Sequence, residues 1–401
     1  MACIGIVAEF DPFHRGHAHL LAQAKQIAPE APVVVALSGH YTQRGGPAAL
    51  SPWARAEMAL RCGADLVAEL PLPWAISSAE GFAWGGVSVL SALGADTLVF
   101  GSESGDVAAL KRAAECLRQE DCQALLRREL AGGIPYAAAR QRAASALLGE
   151  EGASVLSGPN DLLGVAYLDA IGRLGAEMTA VAVPRVGPKH DSQENREGYT
   201  SASALRRLLL TGELEQTLSA LPEPARPVLR REWEEGLTPA SLEHCQRAVL
   251  YRLRMMGPED FAALPDCSEG LEYRLYRAAQ RANSLEEFYS LAKTKRYAHA
   301  RIRRLALWAF LGMTNRDRPE RLPYVRVLGM NSRGRKVLRA AKKTCPVPIL
   351  TKPAAARRLD GEGQRLFALE QRGADLWRLC LPGLEHSAAG SGWTTGPVVL
   401  P

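Results

Sequence analysis

Short runs of β-branched and other apolar residues alternate with longer amphipathic stretches through the first 210 residues. The runs predict five strands, at residues 4–10, 33–38, 66–70, 97–101 and 179–185. Between the first three strands, residues 15–27 and 51–62 carry apolar side chains at i, i+3 and i+4, which predicts helices. Alternating strands and helices predict an α/β fold with a parallel sheet and right-handed crossovers. Ligands of such sheets bind at the carboxyl ends of the strands.

The hydrophobic pattern changes after residue 212. Residues 213–312 predict successive helices that are broken by prolines. Beyond them, the sequence predicts strands and helices in alternation, at residues 324–330, 332–343, 347–350 and 353–381. The Gly/Ser/Thr-rich segment 388–401 predicts a frayed end. We therefore expect two domains, an α/β domain over residues 1–212 and a mainly α-helical domain over residues 213–401.

The composition narrows the class of protein. The chain has 401 residues, 47% of them hydrophobic and 23% charged, which excludes collagen, a coiled coil and a disordered tail. Its eight cysteines form no CxxC pair, which argues against a zinc ribbon or a disulfide scaffold and fits a reducing cytoplasm. No apolar run approaches the roughly 18 residues that cross a bilayer. Glu9 and Asp11 lie in the first apolar segment, which argues against a signal peptide. We therefore expect a cytoplasmic protein.

Charge divides the chain. Residues 1–220 contain 18 Lys and Arg against 24 Asp and Glu, whereas residues 221–401 contain 31 against 19. Most of the excess lies in residues 293–343, where 16 basic residues accompany only Asp317 and Glu320. A basic field of this density predicts a nucleic-acid partner for the second domain. The alternative is a helical face that is simply solvated, as most charge runs are.

The first predicted strand leads directly into the sequence His14-x-Gly16-His17. Both imidazoles then lie at the start of a helix, where free N–H groups and the helix dipole attract anions. Gly16 would let a phosphate approach the backbone. Two alternatives stay open: a metal site, for which only His19 is near as a third ligand, and ordinary surface histidines. We predict a phosphate site without a protein-held metal.

A second patch has the same character. Ser201 is placed to cap a helix, Ser203 follows in its first turn, and Arg206 lies one turn further along. Hydroxyls, amide groups and a guanidinium together suit a triphosphate tail. The alternative is a plain capped helix with a surface arginine.

Together the two patches resemble the HxGH nucleotidyltransferase superfamily, in which HxGH and a later (T/S)SxxxR-type motif hold ATP. The segment 38–48 reads SGHYTQRGGPA and is similar to the SGNFxQRGEPA segment of the bacterial tRNA(Met) cytidine acetate ligase family. The likeness continues, in order along the chain, at residues 53–60, 65–71, 100–103, 159–164, 293–297 and 324–329. The chain departs from the residues usual in the family at Asp11, His40, Gly46, Pro188 and Lys189.

The resemblance implies a Rossmann-like ATP-binding domain and attack on the α-phosphate of ATP. Members of the family convert free acetate and ATP into acetyl-adenylate and acetylate the exocyclic amine of the wobble cytidine of elongator tRNA(Met), which gives N4-acetylcytidine. His14 and His17 would be catalytic, and Mg²⁺ would bridge the phosphates of ATP. With the second patch included, the expected ATP contacts are Val7, Ala8, Glu9, Phe10, Asp11, Pro12, Phe13, His14, Arg15, Gly16, His17, Ala18, His19, Leu20, Gly101, Asn160, Arg185, Ser201, Ser203 and Arg206.

For the tRNA, we expect the basic block to contact phosphates, which gives affinity but no base identity. Three aromatic residues near this block, Tyr297, Tyr324 and Trp308, are predicted to be core residues rather than stacking partners for bases. The expected tRNA contacts are Lys293, Lys295, Arg296, Arg301, Arg303, Arg304, Arg333, Arg335 and Lys336.

Two other functions fit parts of the sequence. A small-molecule adenylyltransferase of coenzyme biosynthesis would share the ATP site but would not need the basic second half. A non-catalytic RNA-binding protein would keep the basic half and use the nucleotide only as a structural ligand. Both remain alternatives, because sequence motifs are hypotheses about chemistry.

Overall fold

The computed structural model describes residues 2–185, 200–268 and 270–401. Two of the departures from the family pattern, Pro188 and Lys189, lie outside these ranges. The described residues form ten strands: β1 (Ile4–Ala8), β2 (Val33–Ser38), β3 (Tyr41–Thr42), β4 (Gly46–Pro47), β5 (Leu66–Leu70), β6 (Thr97–Ser102), β7 (Thr179–Pro184), β8 (Val325–Met330), β9 (Ile349–Leu350) and β10 (Val398–Val399).

Five strands of the first half form a parallel sheet in the order β5-β2-β1-β6-β7. The predicted α/β fold and its five predicted strands are therefore confirmed. β2 and β5 are buried along their whole length, which explains their nearly continuous apolar sequences. β1 ends at Ala8, two residues earlier than predicted, because the chain leaves the sheet there to form the loop before the first helix.

Strands from the second half extend this sheet beyond β5. β8 pairs antiparallel with β5, and β9 and β10 pair parallel with β8. The sheet therefore continues past the predicted boundary at residue 212, and the division into two domains stays a prediction. The predicted fraying of residues 388–401 is wrong. β10 lies opposite Gly329 and Met330, and the Leu400 N–H donates to the Met330 carbonyl at 3.0 Å, because the β-branched end of the chain supplies a strand to β8.

Helices surround the sheet and make up most of residues 213–312, as the sequence predicted. None in the described part of the chain has the length and apolar character of a membrane span. The helices are α1 (Arg15–Ile27), α2 (Pro52–Arg61), α3 (Leu72–Ala75), α4 (Ala79–Ala92), α5 (Val107–Arg118), α6 (Glu120–Ala131), α7 (Tyr136–Ala153), α8 (Pro159–Leu174), α9 (Ala202–Leu210), α10 (Leu214–Ala220), α11 (Arg226–Glu234), α12 (Gln246–Arg254), α13 (Pro258–Ala262), α14 (Leu271–Arg281), α15 (Leu285–Ala292), α16 (His299–Phe310), α17 (Ser332–Thr344), α18 (Gly361–Arg378) and α19 (Ser391–Thr394).

Separate apolar layers cover the two faces of the sheet, one around α4 and α8 and the other around α1, α2 and α9. The helices of the second half enclose a third core. Tyr297, Tyr324 and Trp308 are all buried in it, as predicted. The indole N–H of Trp308 donates to the Ile76 carbonyl at 3.0 Å, so α16 is tied to the turn after α3.

The parallel strands end together at one side of the sheet, here called the carboxyl edge. The hairpin of β3 and β4 follows β2 at this edge. β8 runs in the opposite direction, so that Met330 at its end lies opposite Leu66 at the start of β5. Helix α17 therefore begins at the other side of the sheet, here called the amino edge. A ligand of the parallel sheet is expected at the carboxyl edge.

Candidate nucleotide site and basic surfaces

The two histidines of the HxGH sequence form one stacked unit at the start of α1. Their ring centroids are 3.7 Å apart and their planes differ by 18°. His14 Nδ1 accepts a hydrogen bond from the Gly16 N–H at 3.0 Å, and His17 Nδ1 accepts one from the His14 N–H at 3.2 Å. Because both Nδ1 atoms accept, the hydrogen of each neutral ring lies on Nε2. The hydrogen bonds at the start of α1 therefore fix both rings with Nε2–H as the donor.

Gly16 has a specific place in this arrangement. A Cβ on this residue would lie 2.9 Å from Cε1 and 3.1 Å from Nδ1 of His14. Any side chain here would therefore push the His14 ring away from the helix start. The position of the His14 ring therefore requires glycine at residue 16. The sequence also predicts that this glycine lets a phosphate approach the backbone.

The environment keeps both rings neutral. Burial, followed by the charges of Arg185 and Arg206, lowers the pKa of His14 to about 3. The pKa of His17 is also well below its usual value, because of burial and then of His14 and Arg185. The positive charge at this end of β1 therefore comes from the two arginines, while the histidines are hydrogen-bond donors.

The second predicted patch meets the first. Arg206 Nη1 donates to the Asp11 carbonyl at 2.7 Å and lies 3.5 Å from Asp11 Oδ2. Ser201 caps α9 as predicted, since its Oγ accepts from the Ala204 N–H at 3.2 Å, and it lies 3.1 Å from Ser203 Oγ. The fold thus brings Arg206, on the helix that Ser201 caps, to the HxGH loop from almost 200 residues away. Asp11, a departure from the family pattern, is the acidic partner of Arg206.

Gly101, Asn160 and Arg185 form a third group at the ends of β6 and β7. Arg185 Nη1 donates to Asn160 Oδ1 at 2.8 Å, and a Cβ on Gly101 would lie 3.4 Å from Arg185 Cγ. Sequence reasoning missed the carboxylates that hold this group. Glu103 accepts from the Asn160 N–H at 3.2 Å, and the buried Asp161 accepts from the Glu103 N–H at 2.9 Å. Both lie in segments that resemble the family, which was the available signal.

Arg55 is a third residue that sequence reasoning missed. Its side chain is fully buried on α2, and it donates to the carbonyls of Glu9 at 2.6 Å, of Leu50 at 3.1 Å and of Gly39. Burial lowers the pKa of Arg55 to about 10. The Glu9 carboxylate in turn accepts from the Gln43 N–H at 2.6 Å, although burial raises the pKa of Glu9. These bonds fix the loops that follow β1 and β2.

The other residues of the predicted ATP loop are divided between the site and its surroundings. Phe10 and Phe13 are buried, with ring centroids 4.8 and 5.6 Å from that of His17. Arg15 is directed elsewhere, since its Nη2 donates to the Ser219 carbonyl at 2.9 Å. Along the end of β1, the loop and the first turns of α1 lie the remaining predicted contacts, Val7, Ala8, Pro12, Ala18, His19 and Leu20.

The predicted tRNA contacts fall into two groups. The first lies at the carboxyl edge, where Lys293, Lys295 and Arg296 are exposed in the loop between α15 and α16. Helix α16 touches the β3–β4 hairpin there: Gly45 has a φ of 82°, and a Cβ on it would lie 2.5 Å from the Arg304 nitrogen. We call the exposed loop of Lys293, Lys295 and Arg296 the basic loop.

The arginines of α16 already have partners within the chain. Arg301 Nε donates to the Asp266 carbonyl at 2.8 Å, and Arg303 lies 3.4 Å from Glu286. Arg304 Nη1 donates to the Gln43 carbonyl at 3.3 Å. These three predicted contacts therefore also support the fold around the basic loop.

The second group lies at the amino edge, on α17. Arg333 Nη2 donates to the Glu30 carbonyl at 2.7 Å, and its Nε lies 3.9 Å from Asp65 Oδ1. Arg335 and Lys336 are exposed. Sequence reasoning did not select the other exposed basic residues of this helix, Arg339, Lys342 and Lys343. The basic block of the sequence is therefore two surfaces at opposite edges of the sheet.

The order of the parallel strands and the histidine pair at the end of β1 define a nucleotidyltransferase. The chain belongs to the HIGH Nucleotidyl Transferase family, whose model matches residues 1–390, and within it to the tRNA(Met) cytidine acetate ligases. The resemblance found in the sequence is confirmed.

Relatives match over nearly the whole chain. The tRNA(Met) cytidine acetate ligase of Fervidobacterium nodosum is 36% identical over 378 residues, which cover 92% of this chain and 88% of the relative. That of Acetivibrio thermocellus is 32% identical, with both chains covered completely. The crystal structure of apo Thermotoga maritima TmcAL matches with a TM-score of 0.95 at 32% identity, again over both whole chains. The crystal structure of the same protein bound with alpha-thio ATP matches with a TM-score of 0.93.

Proposed function

We propose that this chain uses ATP to activate acetate as acetyl-adenylate and acetylates the exocyclic amine of the wobble cytidine of elongator tRNA(Met), forming N4-acetylcytidine. One observation carries the ATP-dependent step: the stacked donors His14 and His17 lie at a helix start beside Arg185 and Arg206. The names of the full-length relatives and the alpha-thio ATP bound to the Thermotoga maritima protein support the same proposal.

In the first step, an acetate oxygen attacks the α-phosphorus of ATP, and the bond to the β-phosphate oxygen breaks. Acetate is already ionised at neutral pH, so this step needs no general base. The two Nε2–H groups of His14 and His17 donate to the α-phosphate oxygens, where charge develops. Arg206, Ser201 and Ser203 hold the departing pyrophosphate. Neutral donors suit this position, because they do not bind the attacking carboxylate as an ion pair.

In the second step, the cytidine amine attacks the acetyl carbonyl carbon. The bond to the AMP oxygen breaks, the amine loses a proton, and AMP leaves. An aromatic amine is a weak nucleophile, so the rate depends mainly on how closely tRNA and acetyl-adenylate are held together. The basic loop leads into α16, which touches the β3–β4 hairpin at the carboxyl edge, and we propose it as the tRNA surface for this step.

Mg²⁺ is proposed to arrive with ATP, whose phosphates it neutralises when bound. The described residues contain no cluster of three His, Cys, Asp or Glu side chains that could hold a metal ion. The groups that we propose to face the phosphates are imidazoles, hydroxyls and guanidinium groups, which suit a nucleotide rather than a protein-held cation. We propose a cytoplasmic location, where the tRNA substrate is found.

The decisive experiment supplies labelled acetate, ATP and bulk tRNA and then analyses the nucleosides. Labelled N4-acetylcytidine is the expected product. His14→Ala and His17→Ala should each lose about a hundredfold of acetate-dependent ATP–pyrophosphate exchange, as single oxyanion donors do, and should still shift tRNA in gels. His386→Ala, which changes a histidine of the second half, is the matched control. Normal exchange in both site variants would refute the assignment.

The same experiment separates the alternative functions. A stable adenylylated metabolite formed without RNA would indicate a small-molecule adenylyltransferase. If the unmodified protein bound tRNA but catalysed neither exchange nor acetylation, it would be a non-catalytic RNA-binding protein.

A further inference from the structure

Tyr273 is an exposed aromatic residue next to the basic loop. Its side chain, in the first turn of α14, is 56% exposed, whereas the aromatic residues that the sequence places beside the basic block are buried. An isolated exposed ring is not unusual on a protein surface. Two features distinguish the ring of Tyr273: it lies next to the basic loop, and the helix face around it is basic.

Hydrogen bonds join the start of α14 to the basic loop. Arg274, the neighbour of Tyr273, donates from Nε to the Ala292 carbonyl at 2.7 Å and from Nη2 to the Leu291 carbonyl at 2.8 Å. The same Nη2 donates to the Lys293 carbonyl at 3.1 Å. Arg274 therefore caps the end of α15 and holds the first residue of the basic loop against the turn that carries Tyr273.

The exposed face of α14 is aromatic and basic. Tyr273, Arg277, Gln280 and Arg281 are exposed and follow one another at i, i+4, i+7 and i+8, which is one side of a helix. Arg277 Nε donates to the Tyr273 carbonyl at 3.3 Å, so its guanidinium lies beside this turn. The only acidic residue of α14 is Glu272, which is partly buried.

We propose that Tyr273 stacks on an unpaired base of RNA whose backbone lies along the basic loop, with Arg277 and Arg281 near its phosphates. Proteins recognise RNA mainly through splayed, unpaired bases stacked on aromatic rings, and lysines or arginines alone give no such discrimination. An exposed tyrosine continuous with a lysine-rich loop supplies both parts. The inference rests on the proposed tRNA substrate and identifies an element of its recognition.

The test compares the full-length variants Tyr273→Ala and Tyr273→Phe for binding of bulk tRNA and of a perfectly paired RNA duplex. Tyr273→Ala should weaken tRNA binding about tenfold, the loss typical of one stacked base, and leave duplex binding unchanged. Tyr273→Phe should bind tRNA normally, because it retains the ring. Tyr136→Ala is the matched control, since it removes an exposed tyrosine from the acidic first half.

Salt dependence distinguishes stacking from charge. The slope of log affinity against log salt should be unchanged in Tyr273→Ala, whereas a lost phosphate contact would reduce it by about one. ATP–pyrophosphate exchange and thermal melting verify that the variants are folded. Equal tRNA binding by Tyr273→Ala and the unmodified protein, or an equal loss on the duplex, would overturn the inference alone. Failure of the unmodified protein to bind tRNA would overturn the proposed function as well.

Discussion

Replacing Arg206 by alanine tests the junction between the two patches of the nucleotide site. The substitution removes the 2.7 Å hydrogen bond to the Asp11 carbonyl and the ion pair at 3.5 Å with its carboxylate. Asp11 is 4% exposed and would keep the Ala49 N–H, at 2.7 Å, as its remaining hydrogen-bond donor among the described contacts. The change therefore affects both the loop and the nucleotide.

The expected magnitude follows from the bonds. A hydrogen bond to a charged group contributes about 1.5–3 kcal/mol. The substitution would remove one such bond between Arg206 and the phosphates of ATP. This corresponds to a fall of about 10- to 100-fold in kcat/KM for ATP. The HxGH loop should lose a similar order of stability, because the Asp11 carboxylate stays buried with fewer partners. The pKa of His14 should rise, since Arg206 is one of the charges that lower it.

The assay is acetate-dependent ATP–pyrophosphate exchange at several ATP concentrations, together with thermal melting. Arg207→Ala is the matched control, because Arg207 is the exposed neighbour on the same helix. Arg206→Lys should retain part of the activity, since it keeps the charge but not the planar donor pair. An unchanged kcat/KM in Arg206→Ala, or an equal fall in Arg207→Ala, would refute the role of this contact.

Three further predictions follow. Exchange activity should show no histidine titration between pH 5.5 and 8. The folded pKa of His14 is lowered to about 3 and that of His17 is also lowered, so the neutral donors are lost only as the pH falls well below 5.5. Charge reversal by Lys295→Glu with Arg296→Glu should weaken tRNA binding and reduce its salt dependence, while adenylation is unchanged. Truncation after Gly396 should lower the melting temperature by several degrees, because it removes β10 and its backbone bonds to β8.

Each of these predictions has a control. A rise of activity with an apparent pKa near 6.5 would show that a histidine of the site titrates with its ordinary pKa, which would contradict the lowered values. Lys111→Glu, on α5 in the first half, should not affect tRNA binding. If it weakened tRNA binding as much as the double charge reversal at Lys295 and Arg296, the effect of charge would be nonspecific. Removal of Pro401 alone should leave the melting temperature unchanged. A truncated chain that melts at the same temperature would mean that β10 adds nothing to stability.

The local elements of the first half could be predicted because their physics is local. Alternating apolar patterns located the five parallel strands and α1 and α2, and the serine at residue 201 located the start of α9. The pairing of β8 with β5 could not be predicted in the same way. An apolar run indicates a strand, but its partner and direction depend on contacts between residues more than 250 positions apart.

In the candidate site, too, some relationships are visible in the local sequence and others depend on distant contacts. His14, Gly16 and His17 lie within four residues, so the sequence displays their relationship directly. Glu103 and Asp161 act through hydrogen bonds across 57 or 58 residues, and Arg55 acts through backbone carbonyls that have no sequence signature. The lysines and arginines of the basic block are contiguous in sequence, and only the antiparallel course of β8 divides them between two edges of the sheet.

The position of β8 has a consequence for work with fragments. A chain cut near residue 212 would retain the histidine pair, yet it would leave the outer side of β5 without the strand that covers it. Such a strand, apolar along most of its length and with open N–H and C=O groups, readily adds strands from other molecules. An excised nucleotide-binding fragment should therefore aggregate, and protein prepared for crystallisation or activity assays should retain the chain through β10.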